Sequence, residues 1–427
     1  MRIHLLLSII LILLIIILSY TIYMLKKQKE NFWLSKLWKK ENTKTIVSSL
    51  ICIVGGLIVG CIILLLFGGK NVGGLNISWT STKDAIQLLF FGVLSKGKDA
   101  NNHLIFGWNG MNLGNMLFKT IPLLLCGLSV AVAFKTGLFN IGTPGQYLMG
   151  SAATLIVALS IPSTVVPTFI IWILAFFAGI LFGALWGAIP GAFKALLNIN
   201  EVITCIMTNW IAANIVTFIF DKNKGMFKHL LDPSGTKNYA YVYKTTHNNV
   251  STIKLGLDKI FVGSQVNAGI IIAIVIAIII YIILNKTTFG YSLKACGSNK
   301  NAAKYAGINE KVNIIISMAI AGGLAGCGAA LYYLSGNTEF KWETYQSLPE
   351  VAFNGIPVAL LAVNSPIGVI FSSLFMAGLD VSGMQIKYLT TYNEFITSII
   401  SAIIVYFSAF ALFIKTLFKK NKKKKEQ

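Results

Sequence analysis

Apolar runs of about 20 residues recur along this chain, and each is long enough to cross a bilayer as a helix. Ala268–Leu284 and Val312–Leu334 are two of them. Hydrocarbon offers no water to a backbone N–H or C=O, so such runs are confined to helices, which satisfy those groups within one segment. The composition fits that solvent: 55% of the 427 residues are hydrophobic and 12% charged, where an ordinary soluble domain carries about 25% charged residues. The expected fold class is an all-α integral membrane protein, a polytopic helical bundle.

A formal charge of +21 raises nucleic acid as a partner. The Lys residues, however, gather in loops and tails beside apolar spans, and no basic groove with interleaved aromatic residues is visible. Membrane loops explain that distribution; nucleic-acid binding does not. The six Cys (Cys52, Cys61, Cys126, Cys205, Cys296, Cys327) are scattered, mostly within apolar runs, and form no CxxC. They read as small buried hydrophobes, not as a disulfide framework or a metal site. His4, His103, His229 and His247 are equally dispersed, so no metal centre is expected.

Met1–Leu25 is apolar and lacks a small-x-small cleavage site ahead of Lys26-Lys27, which predicts a retained signal anchor. Lys26–Lys44 follows with seven Lys and two Glu, interleaved with Phe32, Trp33, Leu34, Leu37 and Trp38. It suits an amphipathic segment on the inner leaflet, with an ordinary charged linker as the alternative. Residues 1–44 thus form an anchor and basic segment, and 45–418 the polytopic domain. Ten core spans are expected: Thr45–Phe67, Leu113–Phe134, Ile141–Ser160, Pro167–Ile189, Leu197–Ile219, Ala268–Leu284, Val312–Leu334, Val351–Val363, Ile367–Gly383 and Phe395–Phe418. The Lys-rich tail, 419–427, is placed in the cytoplasm by the positive-inside rule. Alternation then puts loops 68–112 and 221–267 outside and 286–311 inside. Two spans are irregular: Val351–Val363 is short and is broken from the next by Asn364-Ser-Pro366, and Gly137–Gln146 interrupts a long apolar stretch. Paired broken segments are the best sequence pointer to a transport path.

The island Lys286–Lys311 is the most ordered polar stretch. Gly290 and Gly297 bracket one helix-capable segment, and Asn299–Ala306, closed by Gly307, forms another. A cytoplasmic helical knob on a membrane protein is a docking element for something soluble. Three further constellations carry candidate pathway or gating residues. In Asn140-Ile-Gly-Thr-Pro-Gly-Gln146, Asn140, Gly142 and Gln146 combine a tight turn, a Pro suited to a first helical turn and a polar side chain in an apolar segment. A plain cytoplasmic turn is the alternative. Glu201, Thr204, Thr208 and Asn209 recur at helical spacing, and a carboxylate at a span boundary is a functional candidate; a cap or an ion pair to Lys194 is the structural alternative. Glu350 after Pro349 starts a helix in which Asn354 and Gly355 permit close approach. The small residues Gly322, Gly323, Ala325, Gly326, Gly328, Ala329 and Ala330 mark a tightly packed span.

No G-x-x-x-x-G-K-[ST] occurs anywhere, and no Ser/His/Asp set or catalytic carboxylate pair stands out, so no enzymatic activity is expected. Nor do the spans carry the chain of buried Asp, Glu and His common in proton-coupled carriers.

Four motifs then converge. Phe139–Gln146, Asn200-Glu-Val-Ile203, Ala295–Ile308 and Gly355–Leu361 with Pro366-Ile-Gly368 resemble, in that order, the ABC transporter permeases of nucleoside and simple-sugar importers, a ribose-type, branched-chain amino-acid-like family. The resemblance covers roughly 113–413. It implies a bacterial cell-membrane importer subunit for nucleosides that pairs with a second permease, identical or homologous. An extracytoplasmic substrate-binding lipoprotein would deliver substrate, and cytoplasmic P-loop ATPases that bind ATP and Mg would dock on the island. The coupling residues it implies are Thr288, Gly290, Ala295, Gly297, Asn299, Ala302, Ala303 and Gly307. This chain itself would hold no cofactor. A ribose or other simple-sugar permease is the runner-up, and a secondary transporter or channel the reading from another class. The chain departs from its relatives at Pro144, usually acidic, at Ala362, commonly Gly, and at Pro357, commonly Ala.

Overall fold

The computed structural model describes residues 41–409, apart from 70, 73–74, 77, 222–223, 231–238, 241–249, 344–345 and 394. The expected anchor Met1–Leu25, most of the basic segment after it and the tail 419–427 lie outside the described residues.

The chain is a helical bundle. Its helices are α1 (Glu41–Phe67), α2 (Trp79–Phe91), α3 (Gly110–Lys135), α4 (Thr143–Ser160), α5 (Thr168–Leu197), α6 (Glu201–Ile219), α7 (Leu257–Ile260), α8 (Gly269–Lys286), α9 (Thr288–Ser298), α10 (Lys300–Tyr305), α11 (Glu310–Tyr333), α12 (Glu350–Phe353), α13 (Gly355–Leu361), α14 (Pro366–Leu389) and α15 (Phe395–Ala409). Described strand is confined to three short antiparallel pairs. Among the described residues, α3, α5, α6, α8, α11 and α14 are the six helices long and apolar enough to cross a membrane.

The middle of the bundle is α3, whose residues from Thr120 to Ala133 are all buried. It is wrapped by α11, α14, α13 and α8. The small-residue stripe on α11 finds its partner on α5, where Gly179, Gly183, Gly187 and Gly191 recur every fourth residue. A Cβ added to Gly183 would sit 2.9 Å from Gly326 Cα, and one on Gly187 would sit 2.9 Å from Gly322 Cα. No side chain fits there, and the two backbones pack directly, the small-xxx-small solution for helices in lipid. On its other side α5 presents Leu174, Phe177, Leu181 and Leu185 outward, and α6 presents Met207 and Trp210. In water such a surface would drive association; against acyl chains it meets a matching solvent.

The stretch expected as the external loop 68–112 is partly folded. Ser78 caps α2 by accepting from the Ser81 N–H at 3.1 Å, and Ala85, Leu88 and Leu89 are buried. Tyr392, ahead of α15, donates to the Leu64 carbonyl at 2.7 Å and meets Thr82 Oγ1 at 3.0 Å, which ties α1, α2 and α15 together. The short segment expected at Val351–Val363 is the broken half-helix α12–α13. It ends in a turn where Val363 and Asn364 take left-handed φ of 47° and 56°. The chain then reverses into α14, and Ser372 Oγ donates to the Val358 carbonyl at 2.7 Å, pinning the half-helix to the full one.

Candidate functional site

The loop between α3 and α4 turns inward at Asn140 and Gly142, both buried, and is held by side-chain hydrogen bonds. The side-chain amides of Asn140 and Gln146 face each other: Asn140 Nδ2 donates to Gln146 Oε1 at 2.9 Å, and Gln146 Nε2 donates back to Asn140 Oδ1 at 3.0 Å. Asn140 Nδ2 also reaches Ser129 Oγ on α3 at 3.1 Å, and its Oδ1 accepts from the Gly142 N–H at 3.1 Å. Asn209 closes the loop from α6. Its Oδ1 accepts from the Gly145 N–H at 2.9 Å, and its Nδ2 donates to the Ile141 carbonyl at 3.0 Å. Asn140, Gln146 and Asn209 are each almost wholly buried. The structure therefore brings together four of the sequence candidates, Asn140, Gly142, Gln146 and Asn209, in one network that buckles the loop to α3 and α6. Pro144 stands in the first turn of α4, where no N–H is missed.

Glu201 stands apart from that network at the start of α6, where Asn200 caps the helix by accepting from the Val202 N–H at 2.8 Å. Its carboxylate pairs with Lys194 at 2.9 Å across the α5–α6 turn. Glu201, Cys205 and Asn209 nevertheless follow one another at four-residue intervals, so one α6 face runs from the ion pair to the buckle. Gly355 lies elsewhere: a Cβ on it would approach Cys126 Cβ of α3 to 2.7 Å. Asn354 is half-buried at the α12–α13 junction. Between these two groups stands Tyr147, buried with Cys126, Ala329 and Ala352. Its hydroxyl has no hydrogen-bond partner within the protein. Sequence reasoning missed it, since a Tyr in an apolar run carries no signal of isolation.

The island 286–311 is a helical hairpin. Thr287 caps α9 by accepting from the Gly290 N–H at 3.1 Å, and Asn299 caps α10 by accepting from the Ala302 N–H at 3.1 Å. Leu293, Cys296 and Ala303 are buried, whereas Tyr305 is 93% exposed and Tyr291 also projects outward. Gly307, with φ of 77°, ends the hairpin. Gly290 packs on the last turn of α8. Gly297 abuts the end of α3: a Cβ there would collide with the Lys135 carbonyl and come within 2.9 Å of the Gly137 N–H nitrogen. Gly137, itself at φ of 72°, opens the path to Asn140. The hairpin thus touches the chain three residues before the buckled loop. Thr288 opens α9 ahead of the first of these contacts, and Ala295 lies between the two.

At the far end of the bundle the structure shows a feature the sequence reading passed over. Across the six long apolar helices every charged side chain lies in a first or last turn, except two: Lys119 of α3 and Asp380 of α14. They face each other, Nζ to Oδ2, at 4.0 Å. Lys119 follows the start of α3 by nine positions and Asp380 precedes the end of α14 by nine, a matched depth. Glu350, exposed at the start of α12, lies within electrostatic reach of both.

Comparison with known proteins places this architecture. Residues 112–409 match the family described as branched-chain amino acid transport system / permease component. The nucleoside ABC transporter permease protein NupB of Lactococcus lactis subsp. cremoris is 34% identical over 89% of this chain and 95% of its own. The guanosine ABC transporter permease protein NupP of Bacillus subtilis is 31% identical over 88% of this chain and 96% of its own. The glucose ABC transporter permease protein TsgB13 of Haloferax volcanii is 28% identical over 71% of this chain and 77% of its own. No solved structure matches the chain. Multi-pass helices, the motif order and these matches lead to one conclusion: the chain belongs to the branched-chain amino acid transport system / permease component family, as a membrane transport subunit of the ABC type and not an enzyme.

Proposed function

We propose that this chain is the permease subunit of an ATP-driven nucleoside importer in a bacterial cell membrane. The observation that carries the reading is the contact between the α9–α10 hairpin and the Lys135–Gly137 hinge. A force applied to α9 is delivered to the end of α3 and, three residues on, to the buckled loop. Nucleosides are favoured as substrates because NupB and NupP match nearly the whole chain. The match to TsgB13 supports a sugar as the second reading.

In this reading the bundle has ten core spans: α1, α3, α4, α5, α6, α8, α11, the half-helix α12–α13, α14 and α15. The hairpin and the C-terminus face the cytoplasm. A separate P-loop ATPase binds ATP and Mg and docks on the hairpin, with exposed Tyr291 and Tyr305 as aromatic anchors of the kind that dominate interface energies. A second permease, identical or homologous, completes the path, and a lipoprotein supplies substrate from outside. Transport requires ATP to favour one arrangement of the bundle over the other, since equal binding to both shifts nothing. The test is uptake of labelled guanosine, uridine, ribose and glucose in cells depleted of this chain. Selective loss of ATP-dependent nucleoside uptake supports the reading, selective loss of a sugar promotes the second, and unchanged uptake of all four rejects both substrates.

A further inference from the structure

We infer that Lys119, Asp380 and Glu350 form a polar station in the transport path that binds the sugar hydroxyls of the arriving solute. The inference rests on the nucleoside-importer reading and adds the residues and the chemistry that meet the substrate. A charge in the middle of a span faces protein or a water-filled cavity, because lipid penalises it heavily. The Lys119 and Asp380 side chains are 30% and 40% exposed in the single chain, too open for a sealed interior. Their open side therefore marks where water enters the bundle. Glu350 is exposed at the start of α12, the half-helix that packs against the Lys119-bearing α3, and lies within electrostatic reach of both.

The geometry is that of a site with capacity left over. Lys98–Asp84 and Lys194–Glu201 close to 2.7 and 2.9 Å, within hydrogen-bond range, whereas Lys119–Asp380 stands at 4.0 Å. At that separation the ammonium and carboxylate attract each other without using up their donors and acceptors. Two carboxylates and one ammonium offer several acceptor positions and up to three donors. A vicinal diol is the group that fits: its two O–H donors meet carboxylate oxygens, as ribose hydroxyls do at the acidic residue of dinucleotide sites. Its oxygens in turn accept from Lys119. The three charges sum to one net negative, so phosphorylated solutes are repelled while neutral nucleosides are admitted. The station is blind to the base.

The test uses the complete importer in cells and compares uptake kinetics for a ribonucleoside, guanosine, with 2′,3′-dideoxyguanosine, which lacks the diol. Wild type should prefer guanosine. Glu350→Gln keeps the size and helix of an exposed residue and should raise KM for guanosine about tenfold, as expected for a lost hydrogen bond to a charged group. The dideoxy compound should be little affected, so the preference collapses. Asp380→Asn should act in the same direction, with surface abundance measured beside it because that variant also strips Lys119 of its partner. Equal losses for both compounds, or an undiminished preference in Glu350→Gln, would overturn the station and leave the importer reading standing. Wild-type uptake of neither compound would overturn both.

Discussion

Two of the polar clusters in the bundle are built in opposite ways. The buckle around Asn140, Gln146 and Asn209 is buried and closed on itself: each amide atom of Asn140 and Asn209 has a partner within the protein. The cluster of Lys119, Asp380 and Glu350 is half-open, and its one ion pair is loose. A network in which every amide atom already has a partner, in a low-dielectric interior, fixes a shape and has little left to offer a solute. A half-open one with unused donors and acceptors has more. On this contrast the closed amide network is expected to hold the α3–α4 loop in shape, and the half-open charges are the better candidates for meeting cargo.

The largest expected effect follows from the buckle. Asn140→Leu strands the Gln146 amide and the Gly142 N–H away from water, at about 1–3 kcal/mol for each unsatisfied group. The expected outcome is a large drop in the melting temperature of the detergent-solubilised protein and in its level in the membrane, while Glu350→Gln leaves both near wild type. A stable Asn140→Leu protein that sits in the membrane and transports nothing would instead place the loop in the gate, and the contrast between the two clusters would dissolve.

Much of this was readable before any coordinates. Apolar runs of membrane length announced the helices, and the hairpin followed from Gly290, Gly297 and Gly307 around two cap-bearing segments. Asn140, Gln146 and Asn209 were identifiable as polar residues out of place, yet their joining was not, because the distance between loop and α6 is a tertiary fact. The same holds for α5 and α11: each carries small residues at four-residue spacing, but only the fold says which pair meets. Lys119 and Asp380 were lost for a different reason. A single charge in an apolar run reads as noise until a second, of opposite sign and at equal depth, stands across from it.

The hairpin supplies the next test, intermediate in size. Gly297→Val forces two methyl groups and a Cβ against the Lys135 carbonyl, and such overpacking costs about 1–3 kcal/mol. The strain falls on the contact between hairpin and hinge, not on the buckle or the charged station. ATP hydrolysis by the assembled importer should therefore continue while uptake per ATP falls. The ratio of labelled nucleoside accumulated to phosphate released, measured in proteoliposomes, reads this directly. An unchanged ratio would mean that the hinge is not on the coupling route.

The smallest effect tests whether an unsatisfied group always signals a ligand. The Tyr147 hydroxyl is buried without a partner, on a side chain next in sequence to Gln146 and packed with Ala352 of the half-helix that begins at Glu350. An unpaired hydroxyl held away from water is a standing cost, so Tyr147→Phe should leave stability unchanged or raise it by about 1 kcal/mol. If the hydroxyl merely fills space, KM for nucleoside uptake stays at the wild-type value. If it meets the solute once the bundle has moved, KM rises although the resting protein is no less stable. That second pattern would extend the solute's route from the charged station inward along α12 to the edge of the buckle, and the sharp division drawn between the two clusters would then mark successive points on one path.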